Sequence, residues 1–154
     1  MFHKFLSLAI IGALAICSVA CASQKTGFSS GQKDIVVETR DPNWDFSNLR
    51  KVYLYTETVN SSEERDAIAE MVKLLMPRGV ECIVDTGESI TYDDPSMQIR
   101  AHRKLMSLLT SIYLLKPGIK GNEEIIAVIS SDNPLKAAAE AIKYIEGARP
   151  ATAE

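Results

Sequence analysis

The chain has 154 residues, 46% of them hydrophobic and 24% charged, with a net charge of −3. That is enough for one domain with a real core. The acidic balance argues against nucleic acid as a partner, because phosphate binding needs a clustered excess of Lys and Arg. Three cysteines and two histidines leave little material for a disulfide framework or a multi-ligand zinc site.

The N-terminus carries Lys4, an apolar run over residues 6–20 and small residues at the end of that run. This is the layout of a secretory signal peptide, and the run is short for a spanning helix, which needs about 20 apolar residues. Residues 1–20 are therefore expected to be a leader. Ser18-Val19-Ala20-Cys21 matches a lipobox in its small Ala20 and its cysteine, with Ser18 in place of the usual leucine. The favoured reading makes Cys21 the site of lipid attachment, carrying palmitate-type acyl chains. The competing reading is ordinary cleavage after Ala20-Cys21-Ala22. Each buried methylene contributes about 0.8 kcal/mol, so a multiply acylated cysteine anchors stably. Residues 21–33, rich in Ser, Gly, Gln and Lys, read as a flexible tether. A single α/β domain over 34–148 and a loose tail over 149–154 complete the expected organisation.

With the leader gone, Cys82 has no partner in its own chain. It sits in an apolar strand pattern and reads as a buried structural thiol. Ile35-Val36-Val37 suggests an edge strand, and Asp41-Pro42-Asn43 a turn. Trp44 is expected to cap one end of the core. Val52-Tyr53-Leu54-Tyr55 marks a strand over 51–56. Ser61 and Glu64 have the spacing of a capping box. Ile68, Met71, Val72 and Leu75 then share one helix face, and Pro77 and Gly79 end that helix. Residues 79–85 form the next strand.

Asp94-Pro95 reads as an N-cap and first helical residue, opening a helix over 95–115. Its stripe would be Ala101, Leu105, Leu108, Leu109, Ile112 and Leu115, closed by Pro117-Gly118. Arg100, His102, Arg103 and Lys104 spread around such a helix as a solvated face. Residues 124–130 contain Ile125-Ile126-Ala127-Val128-Ile129 without alternation, the pattern of a parallel central strand. Asn133-Pro134 opens a last helix with Leu135, Ala138, Ala139, Ile142 and Ile145 inward. Strand–helix alternation predicts a small three-layer α/β sandwich, with a mainly parallel sheet of about four strands and three helices.

The lipobox-like start, "NLRKVYLY" over 48–55 and a helix leading to "RGVECIVD" over 78–85 together resemble small α/β domains of bacterial envelope lipoproteins. Examples are the amino-terminal domain of the Tol-system protein TolB and the core of the curli-secretion lipoproteins. The resemblance covers about half the chain. It implies an envelope role and carries over no catalytic residue.

In parallel sheets, ligands bind beyond the carboxyl ends of the strands. Glu57, Asp85 and Asp132 lie at three such ends and could form an oxygen-ligand rim for a hard cation, or act simply as solvated loop ends and helix caps. No Gly-rich phosphate loop, GxSxG or HExxH occurs. His102, expected mid-helix, reads as a surface or boundary residue. The sequence thus points to a non-enzymatic, lipid-anchored envelope protein that binds the membrane through its N-terminus and another envelope protein through its domain. No cofactor is implied. Ala22, where aspartate would signal inner-membrane retention, favours the outer membrane, facing the periplasm. The alternatives are a periplasmic small-ligand or cation sensor using the three acids, and an envelope hydrolase.

Overall fold

The computed structural model describes residues 35–56, 61–104 and 106–147. The expected leader, Cys21, the tether and the tail lie outside these residues. An α/β fold is observed. Its main sheet comprises β1 (Ile35–Thr39), β2 (Lys51–Thr56), β3 (Glu81–Val84), β5 (Ser96–Lys104), β6 (Ser107–Leu115) and β8 (Ile125–Ser131), in the order β1-β8-β6-β5-β2-β3. A two-stranded ribbon pairs β4 (Thr91–Tyr92) with β7 (Gly118–Ile119). The helices are α1 (Ser62–Leu75) and α2 (Pro134–Gly147), and a 3-10 turn over Met76–Arg78 follows α1.

Several expected elements form for the expected reasons. Ser61 Oγ accepts the Glu64 N–H at 3.2 Å, and Glu64 Oε2 accepts the Ser61 N–H at 3.0 Å, a complete capping box. The other Glu64 oxygen accepts the Ala101 N–H at 2.9 Å. That amide points toward β2 from a stretch of β5 that runs past the end of β2. One carboxylate thus caps a helix and satisfies a strand amide. The chain leaves α1 through Gly79 at φ 74°, a left-handed conformation that favours glycine. Asn133 Oδ1 accepts the N–H groups of Leu135 and Lys136, capping α2.

The expected helix over 95–115 is instead the β5–β6 hairpin, paired from Ser96↔Leu115 to Lys104↔Ser107. Met97 and Ile99, then Thr110, Ile112 and Leu114, are buried at alternate positions, the period of a strand. Leu108, inward in the helical reading, is 40% exposed; Leu105 lies outside the described residues. The charged group Arg100, His102, Arg103 and Lys104 lies on β5. Asp94 caps no helix and pairs with Lys51 at 3.3 Å.

Among the described residues the helices therefore number two and not three, and the main sheet has six strands, not about four. Parallel pairing among them is confined to β2 with β3 and β2 with β5. β8, expected as a parallel strand, is antiparallel to both β1 and β6. Its run lacks alternation where the register with β6 shifts between Leu114 and Leu115, and Ile126, Ala127 and Ile129 all belong to one core cluster. The described helices are not on both faces. Ala67, Met71 and Leu75 of α1 and Ala138, Ala141, Ile142 and Ile145 of α2 join one cluster with the inward residues of β2, β5, β6 and β8. Two layers, helices on one side, replace three. The buried face of α2 is rotated slightly from expectation, leaving Leu135 exposed. Trp44 packs at the margin of this core, edge-on to Phe46 at 6.4 Å.

Hairpin and helix readings make opposite demands on two residues. Ile112→Ala should cost about 2–5 kcal/mol, the range for emptying a packed site, while Leu108→Ser should change stability by less than about 1 kcal/mol. Urea unfolding of both variants measures this; similar large losses at the two positions would support the helix.

Candidate functional site

The face of the sheet opposite the helices carries Tyr53 and Tyr55 at alternate positions of β2. Two connections cross it, residues 85–95 between β3 and β5 and residues 116–124 between β6 and β8. They meet in the β4–β7 ribbon. Tyr92, 1% exposed, stacks on Tyr55 at 5.3 Å between ring centroids and lies against Tyr53 at 4.7 Å. Leu115 completes this second apolar cluster.

Around the rings lies the most connected polar cluster of the described residues. The Asp85 side chain is 4% exposed and pairs with Lys120 Nζ at 2.8 Å. It accepts the Tyr92 hydroxyl at 2.7 Å and the N–H groups of Gly87 and Ser89 at 3.1 and 3.3 Å. Lys120 also sits 5.1 Å from the Tyr55 ring centre, a cation–π distance. The Tyr55 hydroxyl donates to Glu123 at 3.0 Å, and the second Glu123 oxygen accepts the Gly121 N–H at 2.6 Å. Burial by itself raises the Asp85 pKa, but Lys120, the Tyr92 hydroxyl and the two amides outweigh it and hold the carboxyl well below the ordinary range. Burial, then the neighbouring carboxylates, push Tyr55 and Tyr92 above the ordinary phenol range.

This arrangement is poorly disposed to proton transfer. The ionised Asp85 has a donor on each oxygen, and the phenols hold their protons more tightly than free tyrosine. A general base needs a pKa near the working pH and a free lone pair. The cluster instead clamps two connections to the sheet.

Of the three acids expected at the rim, Asp85 lies in this cluster. Asp132 is exposed and follows β8, its carboxylate 3.5 Å from Ser131 Oγ. β8 and β3 are separated by β6, β5 and β2, so the ends carrying Asp132 and Asp85 are roughly 19 Å apart at the usual strand spacing. Glu57 lies outside the described residues. Among the described residues no three His, Cys, Asp or Glu side chains gather closely enough to hold a metal ion. His102 lies on β5, with Nδ1 buried and without a hydrogen-bond partner among the described residues. Cys82 is half-buried in β3, and burial raises its thiol pKa. A cleft of about 180 Å³ beside Phe46, Leu49, Arg50, Asp94 and Pro95 is smaller than the roughly 300–1,000 Å³ of ordinary ligand pockets.

The sequence reading reached Asp85 but missed Tyr55, Tyr92, Lys120 and Glu123. The available signal was the pair Tyr53 and Tyr55, which alternation places on one face opposite the apolar Val52 and Leu54. Strands of two residues leave no periodicity to read.

No family model and no curated protein matches the chain. Among solved structures, a PelC dodecamer from Paraburkholderia phytofirmans is similar at a TM-score of 0.43 and 10% identity, over 77% of this chain and 99% of that one. A likeness of that degree carries no argument about this chain.

Asp85→Asn should lower stability by about 2–4 kcal/mol at neutral pH, since it strips a buried, multiply bonded charge and leaves Lys120 without its counter-ion. The folded pKa is depressed, so the stabilisation is fully present above the unfolded value of about 4 and is lost as pH falls toward the folded value. Denaturant titrations of both proteins from pH 7 to 3 should show the gap closing below about pH 4. A gap that widens in acid would contradict the assignment.

Proposed function

We propose that the chain is a non-enzymatic, lipid-anchored component of a bacterial envelope, held at a membrane through Cys21 and binding another envelope protein through its folded domain. The observation that carries this reading is the apolar run over 6–20 ending in Ser18-Val19-Ala20-Cys21. A polar stretch then separates that cysteine from β1. It would reach at most about 45 Å when extended, enough to let the domain stand clear of lipid headgroups. Ala22 directs the proposal toward the outer membrane, facing the periplasm. Among the described residues no helix is long and apolar enough to cross a membrane, so in this reading attachment belongs to the acylated N-terminus. The saturated hydrogen bonding of Asp85 and the raised phenol pKa values favour a binding domain over an enzyme.

Intact-mass analysis of the natively expressed protein, with fractionation of Cys21→Ser, tests the anchor. The expected product begins at Cys21 with the added mass of its acyl chains and stays with membranes, while Cys21→Ser leaves them. A native product beginning at Ser23, or one retaining residues 1–20 in the cytosol, would refute the reading.

A further inference from the structure

We propose that the tip of the β5–β6 hairpin is a second membrane contact, seated among the headgroups of an anionic phospholipid bilayer. The inference deepens the lipid-anchored reading and rests on it. β5 and β6 stay paired as far as Lys104↔Ser107. β8 ends earlier, at Ser131, level with Thr110 of β6 and, across the hairpin, with Ala101 of β5. β1 begins beside that end, at Ile35. The first turn of α1 is held at the same level by the bond from the Ala101 N–H to Glu64. Three further residues on each hairpin strand, about 10 Å at the usual rise, therefore project past the end of β8 and the start of β1.

The projection carries charge and apolar surface together. Arg103 and Lys104 are exposed and, at consecutive strand positions, lie on opposite faces of the hairpin. Neither has an ion-pair partner among the described residues. Met106 is fully exposed and Leu108 is 40% exposed. An apolar apex flanked by two long cationic side chains suits the boundary between phosphate and acyl chain, where the charged heads meet phosphate and the apolar ends dip below it. Each cation held near an anionic lipid surface strengthens attachment roughly fivefold. Asp132 and the first-turn acids of α1, Glu63 and Glu64, are set back near the level of Ala101 and do not share the tip.

The course of the chain selects lipid as the occupant. β1 is the first strand among the described residues, and its leading residue, Ile35, lies at the same end of the sheet as the hairpin tip. The chain from Cys21 thus enters the domain from the side toward which the tip points. That stretch reaches at most about 45 Å, so an anchor at Cys21 keeps the tip close to the same bilayer and raises its effective concentration there. The acyl chains fix the distance and the hairpin fixes the orientation, with the turn over 41–43 at the far end of the sheet facing away from the lipid.

Natively expressed protein reconstituted in phosphatidylcholine vesicles, with or without phosphatidylglycerol, tests the contact. An environment-sensitive fluorophore is attached at Met106→Cys or, at the far end of the sheet, at Asn43→Cys, each in a Cys82→Ser background. Flotation reports the anchor and the fluorophore reports the tip. The protein should float with both lipid mixtures. Blue-shifted emission and quenching by spin-labelled lipid should appear at position 106 alone, and only with phosphatidylglycerol. Arg103→Gln combined with Lys104→Gln should still float but lose that shift. A floating protein whose label at 106 stays as wet as the label at 43, an equal shift on neutral vesicles, or a shift that survives the double substitution would each overturn the proposal and leave the anchor standing. Shielding of position 106 in native membranes but not in vesicles would assign the tip to a protein partner and overturn it as well. A protein that does not float would refute the anchored reading, and this contact with it.

Discussion

Ile99, Ile112 and Ile129 lie side by side across β5, β6 and β8, each fully buried beneath the helices. This row is the constraint on which the rest of the molecule depends. The alternate positions of each strand must then face the other way. α1 and α2 pack against each other as well as against the sheet, and the Ala67, Ala138 and Ala141 positions between larger side chains belong to this same core. Small residues there let the helices sit close to the strands. With all the helical mass on one side, the opposite face must be covered by other means or carry polar groups.

Both solutions occur. Over β2 the cover is the β4–β7 ribbon, too short to hold its place by its own hydrogen bonds. Its anchorage comes from Tyr92, inserted against Tyr53 and Tyr55, and from Asp85 and Lys120 joining the connections on either side. A buried ion pair seldom adds net stability over a well-packed apolar pair, but its loss on one side is costly. The cluster therefore acts as a registration device: Asp85 satisfied by Lys120, Tyr92 and two amides is compatible with one placement of the two loops. Over β5, β6 and β8 the same face is lined by Gln98, Arg100, Tyr113, Ser111 and Ser130. Arg100 lies over the Tyr113 ring and the two serine hydroxyls are 2.6 Å apart.

Much of this was legible where one local signal stood alone. The Ser61–Glu64 capping box, the Asn133 cap, the β2 pattern and the edge position of β1 all follow from short-range chemistry. The region over 95–115 was not legible, for a specific reason. Ala101, Leu108, Leu109, Ile112 and Leu115 fit a helical stripe, while Met97, Ile99, Thr110, Ile112 and Leu114 fit strand alternation, and a polar Thr110 at a buried site weakens the second pattern. Leu105-Met106, between the last residue of β5 and the first of β6, includes no Gly, Asn, Asp or Pro, so the usual turn signal is missing. Asp94-Pro95 imitated a helix start, yet Pro95 offers its carbonyl to the Tyr53 N–H. Losing that helix altered the layers and strand directions together. The polar cluster was half legible: Asp85 stands at a strand end, but its partners come from connections whose pairing depends on the finished sheet.

The architecture and the proposed role fit each other. Asp85 in the polar cluster has a donor on each oxygen, and β1 follows directly on the segment that the proposal tethers to the membrane. The central claim is that a one-sided helical layer rests on a sheet in which residues 96–115 form two strands. Residue-resolved amide hydrogen exchange with backbone chemical shifts tests it most directly. The account predicts strand shifts on both sides of Leu105-Met106, with the slowest exchange at Ile99, Ile112 and Ile129. Helical shifts running unbroken through residues 105 and 106 would contradict it.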